Sequence, residues 1–124
     1  MPVTLNHAIV PALDNERAAR FFAEVMGIEC PPPGGSRGRF APVRVNASLT
    51  FDYMTVDVPR GHHLAFDVDP VTFDGVLTRL RTRGVPYGNS PADPANGRID
   101  HPLRARGLFF VDDSGNLYEV MSPE

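Results

Sequence analysis

Apolar and polar residues alternate over "LNHAIVPAL", the period of a strand with one covered face. Over "ERAARFFAEVMG" the spacing switches to the three-to-four interval of a helix. Asp14 or Asn15 can cap that helix and Gly27 can end it. A proline-rich connection, "CPPPGGSRGRFAP", leads to two more extended stretches, "VRVN" and "SLTFDYMTV", rich in β-branched and aromatic residues. The order then restarts. "HHLAFDV" reads as a strand, Asp69 or Thr72 opens a helix over "FDGVLTRLRTRG", Gly84 closes it, and "GLFFVDD" and "NLYEVM" form a hairpin around "DDSGN". From His7 to Gly27 is 20 positions and from His63 to Gly84 is 21. One supersecondary unit is therefore used twice, although residue identity between the halves is weak and the second half carries a longer loop, "GNSPADPANGRIDHPLRAR".

Each unit reads as βαβββ, with one sheet face under its helix and the other open. Strand alternation turns Ala8 and Val10, then Leu64, Phe66 and Val68, toward the helices; His7, Ile9, His63 and Ala65 fall on the open faces. Two half-barrels side by side enclose a cup. The expected fold class is α+β, with residues 1–124 as a single domain made of two modules, 1–58 and 59–124.

Composition narrows the chemistry. The 124 residues can bury a core without disulfides, and 42% hydrophobic with 22% charged residues is ordinary for a globular chain. A formal charge of −3 argues against nucleic acid as a partner. All 12 basic residues are arginine, which excludes Schiff-base chemistry and a Walker lysine. Neither a G-x-S-x-G elbow nor a dinucleotide fingerprint is present, "GGSRG" having the wrong spacing. Cys30, the single cysteine, fits a reducing cytoplasm. No apolar run is long enough to suggest a signal peptide or a membrane span, so a cytoplasmic location is expected.

One residue breaks the pattern. Leu117, Glu119 and Met121 share a strand face, and an ionised carboxylate on an apolar face is costly unless paired, hydrogen-bonded or metal-bound. A partner for Glu119 is expected.

The segments "NHAIVPALDNERAARFFAEVMGIE", "HHLAFDVDPVTFDGVLTRLRTRGV" and "GLFFVDDSGNLYEVM", in that order, resemble the vicinal oxygen chelate superfamily of glyoxalase I, extradiol dioxygenases, fosfomycin resistance proteins and bleomycin-binding proteins. The resemblance spans almost the whole chain. It implies the glyoxalase/bleomycin resistance/dioxygenase fold and one divalent metal ion (Fe, Mn, Ni or Zn) per site, held by His7, His63 and Glu119. Glu119 is then also the catalytic carboxylate. It further implies a small-molecule substrate and a homodimer with shared or swapped sites, in which His7 of one subunit joins His63 and Glu119 of the other. Aligning Leu49 with Leu117 puts Phe51 opposite Glu119, which leaves three protein ligands and turns Asp52 to the other face. Ile9 replaces a threonine of the fosfomycin enzymes, and their phosphonate-binding lysine has no counterpart, which sets fosfomycin aside. Glyoxalase-like, thiol-transferase-like and dioxygenase chemistry stay open. The competing reading is a metal-free protein that sequesters a drug or metabolite.

Other residues are candidates for touching substrate. Tyr53 shares the parity assigned to Phe51, and His101 and Arg106 lie on or beside the long loop, where Arg98 and Arg104 add further donors. Gly34, Gly35 and Gly38 are read as a rim of the cup.

Overall fold

In this computed structural model, which describes residues 2–30 and 39–124, the repeated order takes shape as two βαββ halves. The first half comprises β1 (His7–Ala12), α1 (Asn15–Met26), β2 (Phe40–Arg44) and β3 (Thr50–Thr55). The second comprises β4 (His63–Asp67), α2 (Pro70–Thr82), β5 (Arg106–Val111) and β6 (Leu117–Ser122). The sheets follow the same rule, β1-β3-β2 and β4-β6-β5, each with a parallel and an antiparallel pairing. The fold is the expected α+β one. Among the described residues two strands, not the three of a βαβββ unit, follow each helix; in the second half Gly88 adds only an antiparallel bridge to Phe109. The rim glycines, residues 34, 35 and 38, lie outside the described residues.

The helix ends follow from local chemistry. The Asp14 carboxylate accepts the Arg17 N–H, and that of Asp69 accepts the Thr72 N–H at 2.7 Å, so an aspartate rather than Asn15 or Thr72 is the cap. Hydrogen bonding from Thr72, its side chain first and its backbone N–H second, holds the Asp69 carboxyl below its usual range. Gly27 ends α1 in the left-handed region at φ 73°, where other residues are strained. Arg79 of α2 donates from Nε to the Val25 carbonyl at 2.7 Å, bringing to the C-terminus of α1 a cation that its own last turn lacks. β2 begins earlier than expected, at Phe40; Pro42 is tolerated because its strand pairs with β3 alone among the described strands.

The helix-facing sides of both sheets merge into one core. Phe22 of α1 is fully buried and meets Phe51 and Tyr53 of the first sheet as well as Phe66 and Tyr118 of the second. A polar seam crosses the same interior. Tyr53 OH donates to Tyr118 OH at 2.6 Å, Tyr118 OH donates to Asp112 Oδ2 at 3.0 Å, and the Asn116 amide donates both to Asp112 and to the Pro11 carbonyl. Burial pushes both phenols well above the ordinary tyrosine range, so their hydroxyl protons stay on. The open faces therefore look away from this shared core.

Candidate functional site

On the open face of the second sheet, Glu119 lies opposite Ala65 on β4 and Phe109 on β5, one register step from His63 and Leu117. Its side chain is 11% exposed, and both carboxylate oxygens are used. His63 Nε2 lies 2.8 Å from Oε1, and His101 Nε2 lies 2.7 Å from Oε2. The partner expected for Glu119 is thus a pair of imidazoles. Their environments differ sharply: the His63 side chain is 51% exposed and that of His101 only 2%.

The long loop produces that difference. Its segment around His101 lies across the sheet, with the His101 ring stacked on Phe109 at 6.2 Å between centroids and the Ile99 carbonyl accepting the Gly107 N–H. Gly107 is a glycine for a steric reason: a Cβ there would overlap the His101 ring. Arg104 clamps the loop to β4 through a two-pronged ion pair with Asp67. Hydrogen bonding from Arg104 holds the Asp67 carboxyl below its usual range. A cavity of about 830 Å³ opens beside this clamp between Asp67–Asp69 and Pro102–Ala105. Glu119 is not among its walls, so the hydrogen-bonded trio, not the cavity, marks the chemistry.

The other expected residues are placed as follows. His7 is exposed on the open face of the first sheet and bonds to Asn6 Oδ1 at 2.9 Å, apart from Glu119. Ile9 is exposed and Val10 buried, in keeping with the expected faces. His62 reaches the Ile9 carbonyl at 3.2 Å and bridges the halves. Tyr53 does not face a cup; it is fully buried under α1, because β3 starts one residue later than the alignment through Leu49 assumed. Asn46 folds back on Ser48 and Leu49 in a turn, so Thr50 is the first paired residue. Thr50 lies opposite His7 as Leu117 lies opposite His63, and Asp52, not Phe51, is the counterpart of Glu119. The turn-forming "NAS" was the signal that could have set this register. Arg106 also lies away from Glu119. Its guanidinium covers the Phe73 ring at 4.4 Å and pairs with Asp74, at the start of α2.

Among the described residues no three His, Cys, Asp or Glu side chains are arranged to hold an ion, since the two imidazoles take opposite oxygens of one carboxylate. The donor chemistry still suits a metal at one edge. A divalent cation could replace the proton shared by His63 Nε2 and Glu119 Oε1, on the side open to solvent. A third donor would have to come from elsewhere. No helix among the described residues is long and apolar enough to cross a membrane.

No family model matches the sequence. Solved structures do. Oxidase ChaP-H1 is 32% identical over 98% of this chain and 96% of its own, with a TM-score of 0.86; Oxidase ChaP-H2 is 33% identical over 98% and 94%, with a TM-score of 0.87. TnmS3, an antibiotic binding protein from Streptomyces sp. CB03234, shares the fold at 24% identity and a TM-score of 0.70, covering 99% of this chain and 98% of its own.

Proposed function

This chain belongs to the vicinal oxygen chelate superfamily, and on that premise we propose that it is a divalent-metal-dependent enzyme acting on a small oxygen-bearing molecule, within the oxidase branch represented by ChaP-H1 and ChaP-H2. The observation that carries this reading is the Glu119 carboxylate, sunk in a sheet face with His63 on its solvent side. His63 and Glu119 would hold the ion, with His7 as third donor. Two imidazoles and one carboxylate suit Fe, Mn, Ni or Zn and leave positions free for substrate. When bound, such an ion supplies Lewis acidity to substrate oxygens. The protein's own part is to keep Glu119 dry and oriented under the long loop while His63 stays accessible.

Because His7 sits on the other sheet, the reading includes a homodimer in which His7 of one copy meets His63 and Glu119 of the other. Residues 1–58 and 59–124 are then two modules of a single domain, each lending one open face to a shared cup. A cytoplasmic location suits the free thiol of Cys30.

The test is elemental analysis of protein purified without added metal. Wild-type protein should carry a divalent ion and His63→Ala should lose it; equal metal content in the two would end the proposal. Mixing His7→Ala with Glu119→Ala subunits should rebuild one intact site per heterodimer, and failure after verified subunit exchange would remove the swapped arrangement. A metal-free sequestering protein is the second reading. It is favoured by the fact that both Glu119 oxygens find partners without any ion. Wild-type protein that neither carries nor takes up metal would select it.

A further inference from the structure

His101 differs from His63 in a way that fixes its role. The Leu103 backbone N–H points at His101 Nδ1 at 3.0 Å. A backbone N–H can only donate, so Nδ1 must be the ring's acceptor and the ring proton sits on Nε2. From there it donates to Glu119 Oε2 at 2.7 Å. The ring is held in that pose by the floor of Phe109, the absent side chain of Gly107 and the Arg104–Asp67 clamp. Among the described residues nothing donates to His63 Nδ1, and the His63 side chain is half exposed.

We propose that His101 is a positioning residue: a permanent donor that occupies Oε2 and leaves Oε1 as the single oxygen Glu119 can offer to an ion. Its own Nε2 lone pair is spent on the N–H bond, so His101 is not itself a ligand while Leu103 holds Nδ1. The carboxylate is thereby oriented before anything binds, and its second oxygen is closed to water and to two-oxygen coordination. This rests on the metal-binding reading for its consequence but not for its geometry, and the two can fail separately.

The first measurement is the ¹⁵N spectrum of the histidine rings in metal-free protein. It should show His101 with its proton on Nε2; a proton on Nδ1 would overturn the proposal, whatever the metal result. The second is titration of metal-free protein with Mn(II) or Zn(II). His101→Ala should weaken affinity roughly 10- to 100-fold, the usual consequence of removing a hydrogen bond behind a metal ligand. His101→Gln, which keeps an N–H donor, should recover part of that loss. Circular dichroism and thermal melting establish that each variant is folded. Wild-type affinity in a folded His101→Ala variant would sink the idea. If the wild type binds neither ion, the function proposed above fails, and the ring spectrum alone decides the role of His101.

Discussion

The two sheets are built to one plan, yet one presents a bare open face and the other a buried acid. In the first sheet, His7 and Ile9 are exposed and Asp52, the counterpart of Glu119, is half-buried. In the second, Glu119 is buried and doubly hydrogen-bonded. Strand register is the same in both, so register does not create the difference. The loop does: its residues 99–105 bring His101 over Phe109 and convert an ordinary sheet position into a desolvated one. Duplication supplied two equivalent frames, and an irregular connection made one of them chemical.

Whether the halves are independent can be tested at their joint. Phe22→Ala should cost ~3–5 kcal/mol, because it removes the ring on which both sheets pack. Denaturant unfolding of that variant should still show one transition; two separated transitions would mean the halves fold alone. The polar seam should respond asymmetrically. Tyr118→Phe strands the Tyr53 donor and uncovers Asp112, for a loss of ~1–3 kcal/mol, whereas Tyr53→Phe leaves the Tyr118–Asp112 bond intact and should cost about 0.5–1.5 kcal/mol. Equal losses in urea melts would contradict the assigned donor order.

Exchanging acid lengths sharpens the contrast between the open faces. Glu119→Asp shortens the reach to both imidazoles and should abolish detectable metal uptake. Asp52→Glu, on the uncovered face, should change stability by less than about 0.5 kcal/mol and leave metal content unaltered. A smaller effect is expected at the clamp. Arg104→Ala should return the Asp67 carboxyl toward its ordinary value, read by a ¹³C carboxyl titration. Since the folded pKa is depressed, the clamp's contribution is present above the unfolded value of 3.8 and fades as pH falls through the lower folded one. An unmoved Asp67 titration in the variant would show that Arg104 is not the cause.

The sequence by itself determined the repeated strand and helix order, the aspartate and glycine ends of the helices, the faces of β1 and β4, and the anomaly of Glu119. These are legible because they depend on periods of two and three to four residues and on caps a few positions away. Local pattern places β3 one residue early, which turns Tyr53 to the cup and Asp52 to the other face; nothing within a strand of alternating apolar residues fixes where pairing begins. From its position beside the loop Arg106 reads as a substrate contact; in the structure its guanidinium covers Phe73 and pairs with Asp74 of α2. Only the tertiary structure decided that His101 reaches Glu119 across 18 residues and that His7 of the same chain bonds to Asn6. The physical reason is that a loop's path is set by what it can bury and bond on arrival, here a ring-sized gap over Gly107 and an unsatisfied carboxylate oxygen, and neither exists until both sheet and loop are in place.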